Sequence, residues 1–118
     1  MKKVFMITIL GLGISLGVCT LAEAKTYNYN EPVTLTGIIK LENDYPFLYL
    51  QKGINVNKAD FYDAAKNVKR MQVININRKP GEKTPLGCQV VHGSLFGWET
   101  AHHQTPVLIQ AESFEKCK

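Results

Sequence analysis

The sequence predicts a mainly β domain carrying one short helix. Three observations lead there. Residues 33–41 alternate apolar and polar at period two, and five further short runs are rich in β-branched and aromatic residues between turn formers. Only one stretch, Asp60–Lys69, spaces its apolar residues as a helix does. The chain has 118 residues, 45% hydrophobic and 20% charged, which is room for one domain. That length excludes a (β/α)₈ barrel or a dinucleotide-binding fold of ordinary size.

Taken in order, Val33, Leu35, Ile39 and Leu41 share one face of the first strand, with Thr34, Thr36 and Lys40 opposite. Gly37 in its middle marks a bulge or a sharp bend. Asn43-Asp44-Tyr45-Pro46 reads as a turn, so Phe47–Leu50 returns as the second arm of a hairpin. Lys52-Gly53 ends that strand, and Ile54–Val56 forms a short one. Asn57 or Asp60 caps the expected helix, whose apolar face is Phe61, Ala64, Ala65 and Val68. Met71–Ile76 follows as a strand. Arg78–Gly87, with two prolines and two glycines, is a loop. Gln89–Phe96 and Pro106–Ala111 are the last strands. Short strands that must bend around one core are most economically a small, bent β-barrel of the oligonucleotide/oligosaccharide-binding (OB) type. The helix is out of place for that fold, since it precedes the third clear strand instead of following it.

The first 24 residues have the build of a secretory signal peptide. Met1-Lys2-Lys3 is basic, Val4–Val18 is apolar, and Ala22-Glu23-Ala24 offers small residues at a cleavage site before Lys25. The apolar run is short and glycine-rich for a membrane span. Val18 is bulky for a lipoprotein signal at Cys19. The expected location is therefore periplasmic or secreted, with no membrane span after cleavage. The mature chain is the 94-residue domain Lys25–Lys118, and removing Lys2, Lys3 and Glu23 reduces the net charge from +4 to +3. Lysines are scattered, and the one dense cluster, Lys66, Lys69 and Arg70, reads as a solvated face. No nucleic-acid partner is expected. Cys88 and Cys117 remain after cleavage, and two cysteines in a small exported domain most often pair. Closing that loop is worth about 3.6 kcal/mol by chain entropy, a large share for a domain of this size.

Gly93-Ser94-Leu95-Phe96, followed by Thr100-Ala101-His102-His103-Gln104-Thr105-Pro106-Val107-Leu108-Ile109, resembles the C-terminal signature of a family of exported bacterial domains of unknown function. Its pattern is a Gly-x-Leu-Phe strand, a Thr-Gly-His-His-His-Thr loop and a Val-Leu strand. Asn67–Val73 and Pro32–Gly37 resemble earlier strands of the same family. Ala101 stands here for the glycine and Gln104 for the third histidine. The resemblance implies an exported domain and assigns no chemistry.

The candidate site residues lie in that C-terminal segment. His102 and His103 are adjacent in a loop, and His92 or Glu99 is close enough in sequence to join them on zinc or copper. The competing reading is a loop whose histidines bond the backbone between two strands. A partner contact sensitive to pH is a third. Aromatic residues, among them Tyr27, Tyr29, Tyr45, Phe47, Tyr49, Phe61, Tyr62, Phe96 and Trp98, are many for so small a domain. Most belong to the core, but Trp98 sits beside Gly97 in a loop, where an exposed tryptophan is a binding anchor. There is no nucleophile elbow and no glycine-rich phosphate loop, and Glu99 with Glu112 pairs no better than any two carboxylates. No catalytic residue and no cofactor is expected. The expected function is non-enzymatic: a small envelope inhibitor or immunity-type protein that binds a partner protein through Trp98, Glu99, His102 and His103. The alternative is a periplasmic small-ligand or metal-binding protein using the same histidine loop.

Overall fold

The computed structural model describes residues 24–118. The basic and apolar parts of the expected signal segment, and Cys19, lie outside the described residues. The rest is mainly β, with six strands in one sheet: β1 (Thr26–Tyr27), β2 (Pro32–Glu42), β3 (Tyr45–Val56), β4 (Ala65–Asn75), β5 (Gly87–Gly97) and β6 (Val107–Lys116). β2 pairs antiparallel with β3 and β5, β4 pairs antiparallel with β3, and β5 with β6. β4 and β6 run parallel, and β1 adds a short parallel segment to β3. Each of the five long strands thus pairs with two of the others.

The alternation in β2 places Val33, Leu35 and Ile39 in the core with Leu48, Val56, Met71, Val91, Leu95 and Ile109. Leu41, expected on that face, is exposed, because β2 has by then run past the core to the hairpin end. Gly37 is not a bulge: its register with Leu50 and Gln89 is unbroken. A Cβ there would instead collide with the carbonyl oxygen of Tyr49, so Gly37 lets two paired backbones approach where β2 passes from β5 to β3. Lys52-Gly53 does not end a strand either. β3 runs through it with a slip in register against β4 between Tyr49 and Ile54.

The expected short helix at Asp60–Lys69 is not seen among the described residues. Residues 57–64 form a bend, and Ala65 onward is β4. The physical reason is that its apolar face has little to bury. Two of its four members are alanines, and a short isolated helix is marginal in water. Phe61 projects into solvent instead, and the chain gains the β4 ladder with β3 and β6. Cys88 and Cys117 are joined by a disulfide with Cα atoms 5.5 Å apart, which fastens the end of β6 to the start of β5. Among the described residues no helix is long and apolar enough to cross a membrane.

Candidate functional site

The loop from β5 to β6 is positioned by a row of residues on the outer side of the sheet. Phe47, Gln72, Leu108 and Phe96 are register partners across β3, β4, β6 and β5. Their sequence neighbours Leu48, Met71, Val107 and Leu95 point into the core, so the row faces the other way. Gln72 is nonetheless only 2% exposed, and Phe47 and Leu108 are buried as well. Gln72 is tied to the loop at three points. Its side-chain amide donates to the His102 carbonyl at 3.2 Å and accepts from the Gln104 N–H at 2.5 Å. Its backbone N–H donates to the Thr105 hydroxyl at 2.9 Å, which in turn donates to the Val107 carbonyl at 2.6 Å. A buried amide paired this way meets the requirement that buried polar groups find partners.

The two histidines of the loop do different things. The Nδ1 of His103 accepts the backbone N–H groups of Glu99 (3.0 Å) and Thr100 (3.2 Å), and its ring meets Phe96 edge-on at 5.3 Å between centroids. His103 is therefore built into the loop. His102 uses its backbone, and its side chain is exposed. His92 lies apart on β5, between Thr34 (3.1 Å) and Glu115 (3.2 Å). The structure does not bring His92 to the other two. Among the described residues no group of three or more His, Cys, Asp or Glu side chains is arranged to hold a metal ion.

The first residues of the loop form one wall of a cleft of about 210 Å³. Trp98 is 56% exposed at its rim. The facing wall is the bend where a helix was expected. There Ala59 and Tyr62 exchange backbone hydrogen bonds of 3.0 and 3.4 Å, which lifts Phe61 onto the tip of a tight turn. Phe61 is 92% exposed. Tyr62 closes the floor: its ring lies 4.9 Å from that of Tyr29 and directly against Gly97, where any Cβ would strike it. The Tyr62 hydroxyl donates to the Glu99 carboxylate, and the Tyr29 hydroxyl donates to the Asp63 carbonyl at 2.8 Å. The bond to Glu99, then burial, hold the Tyr62 hydroxyl above the usual phenol range. Burial, then the Asp63 charge, do the same to Tyr29.

Of the expected site residues, Trp98, Glu99 and His103 share one loop segment, with Glu99 touching both His103 and Tyr62. Sequence reasoning missed Gln72, Tyr62 and Asp63, and placed Phe61 on a packed helix face. It also missed a polar cluster over the opposite end of the buried row. Arg70 stacks on Phe47 at 3.9 Å and is held by Glu42 (2.7 Å) and the Tyr49 hydroxyl (3.2 Å). Arg70 is thus engaged, while Lys66 and Lys69 of the same sequence cluster are exposed. No protein-family model matches this chain, and no curated protein or solved structure is significantly similar to it.

Proposed function

We propose that this protein is an exported, non-enzymatic binding protein that captures a partner protein at the cleft between the 57–64 bend and the β5–β6 loop. The observation that carries the reading is Phe61 and Trp98 at the rim of one cleft, both left largely in water although the chain has a core to hide them in. Large aromatic side chains beside a pocket are the usual anchors of protein interfaces. Both stand on segments fixed from beneath, by the Ala59–Tyr62 turn and by the Gln72 and His103 bonds, so little order is lost on binding. The scaffold is best read as a closed OB-type barrel, since each of its five long strands pairs with two of the others. The disulfide and the signal-like start are compatible with an envelope or extracellular location, as is the resemblance of residues 93–109 to exported domains.

The small-ligand or metal reading of the histidine loop has less behind it. The Nδ1 of His103 already accepts two amides, and His92 is elsewhere. The partner reading is tested with Phe61→Ala and Trp98→Ala. Each should leave the unfolding free energy within about 1 kcal/mol of wild type, as for exposed positions. Each should weaken retention of the partner recovered from envelope extracts by about 2 kcal/mol. Unchanged retention with both residues replaced would end the proposal.

A further inference from the structure

The cleft has a chemistry of its own that narrows what enters it. Four aromatic rings, Tyr29, Phe61, Tyr62 and Trp98, line it, and Asp63 lies among them. Glu99 stands just behind, bonded to Tyr62. No lysine, arginine or histidine is among the lining residues, although the whole chain carries a formal charge of +4. A cavity walled by π faces and edged by carboxylate is unfavourable to an anion and favourable to a cation that can shed part of its hydration.

We propose that this cleft is a receptor for a cationic side chain, arginine or lysine, presented by the partner protein. The inference rests on the partner reading above and names the group recognised. Flat aromatic walls favour arginine, whose planar guanidinium stacks on rings and is weakly hydrated. The bond to Glu99, the largest cause of the raised Tyr62 hydroxyl, brings a carboxylate that also favours a cation; at Tyr29 burial is the larger cause and the Asp63 charge the second. Asp63 supplies the carboxylate edge. Its side chain is exposed, so replacing it should leave the fold intact.

The chain contains a single tryptophan, and it stands at the cleft, so its fluorescence reports occupancy directly. The probes are N-acetyl-arginine amide, N-acetyl-lysine amide and N-acetyl-citrulline amide, the last an uncharged near-isostere of arginine. The expected result is a saturable change in Trp98 emission with the arginine probe, weakened by added salt. The citrulline probe should bind at least about fivefold more weakly, and Asp63→Asn should reduce arginine affinity about threefold or more. A saturable response to lysine but not arginine would keep the cationic receptor and reverse the stacking preference. No saturable response to either cation, or equal affinity for citrulline, overturns the inference. The two proposals fail separately. A partner retained through Phe61 and Trp98 with no response to the cations leaves the partner reading standing and removes this one. Saturable cation binding in a protein that retains no partner leaves the cleft a cation receptor and removes the partner proposed to present the side chain.

Discussion

The two halves of the β5–β6 loop lie within ten residues of one another and treat their side chains in opposite ways. In the second half, Thr105 is buried, His103 is bonded to two amides, and Gln72 holds His102 and Gln104 from below. Its polar groups are engaged in building the loop. In the first half, Trp98 stands 56% in water across a cleft from Phe61. Gln72 and Thr105 are sequestered while Trp98 and Phe61 are displayed, the reverse of what solvation alone would choose. A protein that secures its loop with buried hydrogen bonds can present an apolar group on it without the loop collapsing inward. Of the histidine pair, the most conspicuous feature of the sequence, the His103 ring belongs to the scaffold and His102 joins it through its backbone alone, and the aromatic pair belongs to the surface.

The largest effect should come from removing the support of the pinned half. Gln72→Leu keeps the size of the side chain, strands the Gln104 N–H and leaves the His102 carbonyl with only the Gln104 side-chain amide at 3.3 Å. An orphaned part-buried N–H costs about 1–3 kcal/mol and the weakened carbonyl adds to it, so a loss of about 2–3 kcal/mol in denaturant unfolding is expected. A variant as stable as wild type would show that the loop is held by something other than Gln72.

Gly97→Ala attacks the displayed half from its floor. The new Cβ meets the Tyr62 ring, and that ring is wedged between Tyr29 and the Glu99 carboxylate. Overpacking of this kind costs about 1–3 kcal/mol, and Trp98 emission should shift as Tyr62 is displaced. Unaltered stability together with an unaltered spectrum would mean that Tyr62 is not seated as described.

The strands were readable because their inner faces obey a strict period of two, as Val33, Leu35 and Ile39 do. The outer row was not, because its burial comes from a loop far along the chain. Gln72, between Met71 and Val73, reads locally as the solvent-facing member of an alternating strand. A signal was nonetheless present: Phe47-Leu48 and Val107-Leu108-Ile109 are consecutive apolar runs, and a strand apolar on both sides is covered on both sides. A polar residue opposite them needs partners, and a long loop after β5 is the segment available to supply them. Phe61 misled for the opposite reason. Its spacing with Ala64, Ala65 and Val68 is helical, but spacing cannot reveal whether anything lies opposite that face. The cleft depends on a turn at residues 59–62 and on Gly97 being bare beneath Tyr62, neither of which any local pattern announces.

The two histidines separate the halves more finely. His103→Ala removes the acceptor of two backbone amides and the edge contact with Phe96, and should cost about 0.5–1.5 kcal/mol, since water can reach those amides. His102→Ala should stay within about 0.5 kcal/mol, as for an exposed side chain. Equal effects in thermal melts would erase the distinction drawn between them.

The smallest expected effect concerns the other end of the buried row, where the cover over Phe47 is Arg70. Arg70 is held by Glu42 and Tyr49. The hydrogen bond from Tyr49, then that from Arg70, hold the Glu42 carboxyl below its usual range. A carboxylate whose pKa is depressed by folding contributes stability that is fully present above its unfolded pKa. That contribution is lost as pH falls through the folded value. Both groups are partly in water, so the contribution is small. Glu42→Gln should therefore melt slightly below wild type at neutral pH. The gap should narrow as pH is lowered through the ordinary carboxylate range and vanish beneath it, where wild type is protonated too. A gap that persists unchanged into acid would mean that the charge on Glu42 has no part in holding Arg70 over Phe47, and that the aromatic contact alone keeps this end of the row covered.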